Sequence, residues 1–478
     1  VLNFEGKVKI GGMVFVDNKI GCGIIGTVNF LSHLPSLHGV SLMPEIVPFA
    51  GFRYNLDNLE KVGNLSDVVA PPYDVIGPEL QDALYDKHPN NVIRLILDRI
   101  LPTDDEANNR YTRSAKTLAD WKASNIVVQE PEPAFYVYHQ VYTVGDREYC
   151  RKGFMCGVKA DPFGEGLVFP HEQTLSGPKA DRLMLTTTCK MNFSQVFGLY
   201  PDETHKIQKL LDDAVADLTP LEATDHLGVL NRLWVVTDKA VLAAVQKEME
   251  KLPVFIADGH HRYETACNYR KQIRDMGELT PEHPANYVLM MCIAMDDPGL
   301  IVLPTHRLFP GVPEWTTDEL MGKLGKLFHV KRVGEGPEAA SAAWDEIEKK
   351  NAQQTIALYT AKDKQWVLAT LTDDGWAEME KAAAEHHPEW RELGVSILHR
   401  LIVDTILRLT DMEKPKYVHL IEEVVDELKT GQYPLAALVM PATVEHIRTL
   451  SLMGERMPPK STYFYPKLAS GLVFKPLS

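Results

Sequence analysis

The stretch Leu252 to Ala266 constrains the fold most. Its first half, Pro253-Val254-Phe255-Ile256-Ala257, is a continuous apolar run of strand length that stops at Asp258. Gly259 then permits a tight turn, and Tyr263, Ala266, Cys267 and Arg270 recur at helical spacing. A strand, a glycine turn and a helix in immediate succession belong to a chain that mixes sheet and helix. Helical and strand patterns alternate elsewhere without an internal repeat, so the sequence predicts an α+β protein.

The 478 residues, at roughly 150 per domain, predict about three domains with sizeable cores. Residues 1–42 are glycine-rich and irregular, and read as a dispensable or non-native extension. They contain Gly21-Cys22-Gly23-Ile24-Ile25-Gly26 after the strand-like Met13–Val16, a formal G-x-G-x-x-G. Pro35 follows too soon for the full helix that a dinucleotide site needs, so a glycine turn is expected there. Residues 43–310 read as the catalytic region, and 311–478 as an additional mixed α/β domain. A polar loop over 102–110 precedes a helix through Trp121, and Phe135–Tyr138 and Tyr149–Val158 flank Gly145-Asp146 as a hairpin. Helices are expected over Ile207–Leu218, Leu320–Phe328 and, buried, Ile397–Leu407. A second hairpin is expected from Thr355–Thr360 with Trp366–Thr372.

Hydrophobic residues at 45% and charged residues at 24% are ordinary for a globular protein and exclude disorder. Acidic residues outnumber basic ones 65 to 50, and the net charge of −15 opposes nonspecific contact with nucleic acid or an anionic membrane. The six cysteines include no C-x-x-C pair and are expected as reduced thiols. No run approaches the ~18 apolar residues of a membrane helix, so a cytoplasmic protein is expected. The pattern specifies no oligomeric state.

Four segments display chemistry-bearing side chains. At Asp258-Gly259-His260-His261-Arg262, free amides at a helix start, its dipole and three potential cations form an anion trap suited to phosphate. Cations oppose the dipole at that end unless an anion sits there. Asp258 suits a magnesium-bound water or a substrate ammonium. His260 and Glu264 have i, i+4 metal spacing but no third ligand, and no metal site is assigned. In Pro170-His171-Glu172-Gln173-Thr174-Leu175-Ser176-Gly177-Pro178-Lys179-Ala180-Asp181-Arg182, the prolines and glycine indicate a loop that offers a base and phosphate ligands. As a plain surface loop, Lys179, Asp181 and Arg182 would simply pair with one another. Gly454–Gly471 carries Arg456, Lys460, Ser461, Thr462 and Lys467, a basic island suited to phosphates without a P-loop pattern. Asp74, in the rigid turn Val69–Ile76, either faces the site or, more simply, caps the next helix. His386-His387 reads as solvated and His399 as a core residue.

These motifs together, VVAPPYDVI, FPHEQTLSGPKADRL, ADGHHRYETA and GERMPPKSTYFYPKLASGL, resemble the domain-of-unknown-function family 1015 from Met43 to the end. Pro170-His171-Glu172 followed by Asp258-Gly259-His260-His261-Arg262 is similar to the motif pair of the free serine kinases, enzymes of the ParB/sulfiredoxin-like fold. Here 85 residues separate Glu172 from Asp258, so the resemblance implies such a core with large insertions. It implies Glu172 as catalytic base with Asp258 as a second catalytic carboxylate. Gly259, His260, His261, Arg262, Lys179, Arg182, Lys460, Ser461 and Lys467 would bind donor phosphates, and His171, Thr174 and Asp74 the substrate. The implied reaction is phosphoryl exchange between L-serine and O-phospho-L-serine with Mg²⁺ and ATP, ADP or pyrophosphate. The opposed readings are a ParB-like nucleotide-binding regulator and a phosphoserine phosphatase. A chain starting at Met43 is expected to keep its melting temperature and activity, and insolubility would show the first block to be integral.

Overall fold

The computed structural model describes residues 7–10, 13–16 and 45–478 except 175, 410 and 411. It is a mixed α+β structure built on two large sheets. Their origin is most visible in the hairpin Phe135–Val144 and Arg147–Lys159. Val144 pairs with Arg147 across a two-residue turn, and Gly145 supplies the positive φ of 60° at its first position. Alternate residues then face opposite sides. Tyr136, Tyr138 and Met155 enter one core cluster, while Phe135, Val137, Phe154 and Cys156 enter another.

Nine strands make up this first sheet, in the order Leu221–Thr224, Leu230–Val236, Phe135–Val144, Arg147–Lys159, Tyr287–Ala294, Val196–Tyr200, Val254–Asp258 and Val168–Phe169, with Ile46–Val47 paired beside Arg147–Lys159. Most neighbours are antiparallel. Val196–Tyr200 runs parallel to Tyr287–Ala294, and Val168–Phe169 parallel to Val254–Asp258. The second sheet has six antiparallel strands and begins at His306–Phe309, ahead of residue 311.

After the helix Val444–Leu452 the chain returns to the first sheet. Tyr463–Tyr465 pairs with Ile301–Leu303, Ser470 bridges to Ala70, and Lys475–Pro476 pairs with Met191–Asn192. Arg151, 1% exposed, donates to the carbonyls of Tyr465 and Pro466 and to the Gln140 side chain, while Gln140 Nε2 donates to the Lys467 carbonyl at 3.1 Å. The returning loop is thereby fixed over the central hairpin.

Several sequence expectations need correction. The segment expected as a loop through Arg182 becomes helical at Ser176, because Pro178 sits in the first turn, where its missing N–H removes no helical bond. Leu218 lies beyond the helix Lys206–Val215 and is 49% exposed. The buried helix expected over Ile397–Leu407 is present, wound as a π-helix over Ile397–Ile406, with the Leu407 N–H reaching the Ile402 carbonyl. Phe328 begins a strand, not a helical turn. His386 stacks on Trp390 and bonds Glu455 at 3.0 Å. In the first block, Lys7–Ile10 pairs with Met13–Val16, whereas Gly21–Gly26 lies outside the described residues. Among the described residues no helix is long and apolar enough to cross a membrane, and Cys150, Cys156, Cys189, Cys267 and Cys292 are free.

Two glycines should respond oppositely to alanine. A β-carbon at Gly153 would strike the Cys292 carbonyl and the side chains of Ile293 and Met291, so Gly153→Ala should cost roughly 1–3 kcal/mol. Gly322, in the helix Thr317–Leu324, has nothing within 4 Å of such a carbon, and Gly322→Ala should stabilise by about 0.5–1 kcal/mol. Denaturant unfolding measures both.

Candidate functional site

The apolar strand Val254–Asp258 delivers Asp258 to the edge of the core, and Gly259, at φ 89°, turns the chain directly into the helix His260–Asp275. A β-carbon at Gly259 would lie 2.9 Å from the Arg262 guanidinium, so the turn needs glycine twice over. Asp258 Oδ2 takes a bond from Arg262 Nη2 at 2.6 Å, and Oδ1 takes one from Lys467 Nζ at 2.9 Å. Burial pushes the Asp258 carboxyl up, but Lys467 and Arg262 outweigh it and hold the group well below the usual carboxylate range. Arg262 also donates to the Gln195 carbonyl, and its side chain is 9% exposed. At Arg262, expected as a phosphate clamp, Nη1 and Nη2 are thus each engaged by the protein.

Glu172 lies across from the returning loop, where it bridges to Met457 and where the nearby Ser461 N–H favours its ionised form. Burial raises its pKa to about 6, with Asp258 adding to the rise and Lys460 and Lys467 opposing it. Two neighbouring carboxyls are thus driven in opposite directions.

Behind them, His171 and His260 form a buried edge-to-face pair with centroids 4.7 Å apart. His171 Nδ1 donates to the Ile256 carbonyl at 2.7 Å, its Nε2 faces Thr462 Oγ1 at 3.0 Å, and its backbone N–H reaches His260 Nε2. Burial holds His171 down to about 4 and His260 well below its ordinary value, so both rings are neutral. His171, expected as a substrate ligand, and His260, expected as a phosphate-binding cation, are both enclosed by the protein.

Other expected ligands also have internal work. Arg182, 7% exposed, bonds Asp181 and the Ile96 carbonyl and covers the Tyr73 ring. Ser461 Oγ donates to Pro458, with its N–H near Glu172. Lys179 and Thr174 both bond Glu264 Oε2 at 2.7 Å. The helix Pro78–Lys87 has Gly77 at its N-cap with no side-chain cap, so Asp74 caps nothing there; it is exposed in the turn Tyr73–Val75 and electrostatically coupled to His261. His261, half-buried, also feels Glu264, Lys460 and Lys179. Lys460 is exposed with φ 60°.

Lys460, Lys467 and His261 gather where the helix His260–Asp275 begins, with Lys467 held by Asp258. Sequence reasoning missed Gln195 and Tyr463 as site elements; Tyr463 carries Lys467 over its ring at 4.5 Å. Tyr463 stands in the basic loop and was open to notice, whereas Gln195 belongs to no motif. Among the described residues no three His, Cys, Asp or Glu side chains converge as a metal cage.

Comparison with known proteins places these features in context. No curated protein sequence matches the chain. A conserved hypothetical protein from Pyrococcus furiosus is 13% identical, covering 63% of this chain and 88% of its own, at a TM-score of 0.30. A free serine kinase in complex with AMP is 14% identical over 62% of this chain and 83% of its own, at 0.28. SbnI with a C-terminal truncation from Staphylococcus aureus is 9% identical over 66% and 85%, at 0.32. The family described as "Protein of unknown function (DUF1015)" matches residues 46–396, and the chain belongs to that family.

Proposed function

We propose that the chain is a phosphotransferase with a ParB/sulfiredoxin-like core, carrying a phosphoryl group from ATP, ADP or pyrophosphate to the hydroxyl of free L-serine. The observation that carries this reading is Glu172: a carboxyl poised near pH 6 beside a permanently ionised carboxylate, with two lysines and a backbone N–H around it. A base works best when its pKa lies near the working pH. The resemblance of the two short motifs to the free serine kinases supports the same assignment.

In this mechanism Glu172 takes the serine hydroxyl proton as the oxygen attacks phosphorus, and the bond to the leaving phosphate oxygen breaks. Lys460, Lys467 and the helix-start amides meet the charge that develops on the phosphoryl oxygens. Asp258 holds Lys467, whose ammonium keeps further donors for phosphate. Arg262 keeps Asp258 in place. Mg²⁺, bound through Asp74 and the donor, would supply charge neutralisation.

Glu172→Gln should lower turnover roughly 10²–10⁴-fold with little change in donor affinity. Full turnover in that variant would move the base elsewhere. Tight nucleotide binding by the wild type, with no phosphoserine formed from any donor, would select the regulator. Phosphate release from phosphoserine without transfer would select the phosphatase. Turnover in the wild type should fall as pH drops through about 6, where Glu172 protonates.

The same carboxyl has a stability signature. Between its ordinary value of 4.5 and about 6 the folded state keeps a proton that the unfolded chain has lost. Stability contributed by Glu172 therefore falls as pH rises across that window, by at most about 2 kcal/mol. Glu172→Gln should raise the melting temperature at pH 7.5 and lose that advantage below pH 4.5.

A further inference from the structure

On the side of His261 where Glu264 and Lys179 act on it, the helix His260–Asp275 and the segment Asp161–Glu165 enclose a cleft of about 460 Å³. Its volume lies in the range of small-molecule sites. Lys179 and Glu264 both line it, paired at 2.7 Å with their side chains 30% and 26% exposed. Thr174 Oγ1 donates to the same Glu264 oxygen and fixes the direction of that carboxylate. Glu264 follows His260 and His261 by about one helical turn, and Thr174 follows Glu172 by two residues. The inner wall is thus carried by the two segments that hold the candidate chemistry.

The lining carries four cations and three carboxylates, and Asp275 outside it supplies a fourth carboxylate. Arg270 bonds Asp161 at 2.8 Å on the other wall, and toward the outside Lys271 and Arg274 both face Asp275. A polyanion entering here would meet paired cations together with Asp161, Glu165 and Glu264. A ligand with one positive and one negative group close together would instead replace, charge for charge, an ion pair that contributes little net stability when partly exposed.

We propose that this cleft seats a free α-amino acid as its zwitterion, with Glu264 receiving the ammonium group and Lys179 the carboxylate. This deepens the phosphotransfer reading by seating its acceptor. It also reassigns Lys179 from the donor phosphates to the acceptor. Phe163, stacked on Tyr263 at 5.1 Å with Arg456 5.8 Å above it, forms a stiff aromatic wall of the cleft.

The test is calorimetric titration of the full chain with L-serine, serinamide, N-acetyl-L-serine and inorganic phosphate. L-serine should bind saturably, while serinamide and N-acetyl-L-serine, each lacking one charge, should bind at least tenfold more weakly. Glu264→Gln and Lys179→Met should each weaken L-serine binding tenfold or more. Thr174→Val, a milder change, should weaken it several-fold and serves if either charge variant fails to fold. Absence of saturable L-serine binding, binding unchanged in the variants, or preferential phosphate binding lost with Lys179 would overturn the proposal. Glu264-dependent serine binding without phosphoserine formation from any donor would keep the cleft and remove the kinase reading. Phosphoserine formation with an unchanged serine KM in Glu264→Gln would do the reverse.

Discussion

Two buried guanidinium groups hold the site together. Arg151, on the central hairpin, and Arg307, on the second sheet, are each 1% exposed. Arg151 takes the carbonyls of Tyr465 and Pro466, while Arg307 takes those of Thr305 and Lys460 and contacts His399 Nε2. Neither has a carboxylate partner among these contacts. A buried charge needs acceptors for its donors, and the returning loop supplies three of them, the Tyr465, Pro466 and Lys460 carbonyls, beside Gln140, Thr305 and His399. Satisfying the arginines and placing Lys460 and Lys467 are therefore linked. If the loop withdrew, each buried guanidinium would lose part of its hydrogen bonding.

This loop explains why Glu172 and Asp258 behave differently although both are carboxyls drawn into the same interior. Asp258 receives a lysine on one oxygen and an arginine on the other. Glu172 has a backbone N–H and only the more distant influence of the lysines, so desolvation prevails. Separation of two carboxyl pKa values by unequal environments is a general way of assigning one group to proton transfer and another to fixed charge. The neutral His171–His260 pair beneath them adds shape without adding charge.

Legibility followed sequence distance. The strand, turn and helix at Asp258–Arg262 and the hairpin at Gly145-Asp146 were readable because their causes lie within a few residues. The surplus of cations at the helix start has one internal counter-charge in Asp258, four residues before Arg262. Lys467 was singled out by residue type, but its partner lies 209 residues away, and no periodicity encodes such a pairing. Arg182 and His171 were read as exposed because prolines and a glycine surround them, yet burial there depends on contacts with Ile96, Tyr73, Ile256 and Thr462. Arg151 and Arg307 stand in ordinary strand patterns and carried no signal.

The order of synthesis follows from the same loop. Every part of the first sheet, including Glu172, Asp258 and the helix behind them, leaves the ribosome before Lys460 and Lys467. Domains generally begin to fold from the N-terminal side while synthesis continues. A nascent chain can thus hold the sheet without the lysines, its Asp258 still lacking half of its counter-charge. The carboxyl pair acquires its unequal acidities only when this loop arrives and Lys467 reaches Asp258, so a segment made late in synthesis switches the electrostatics of the site.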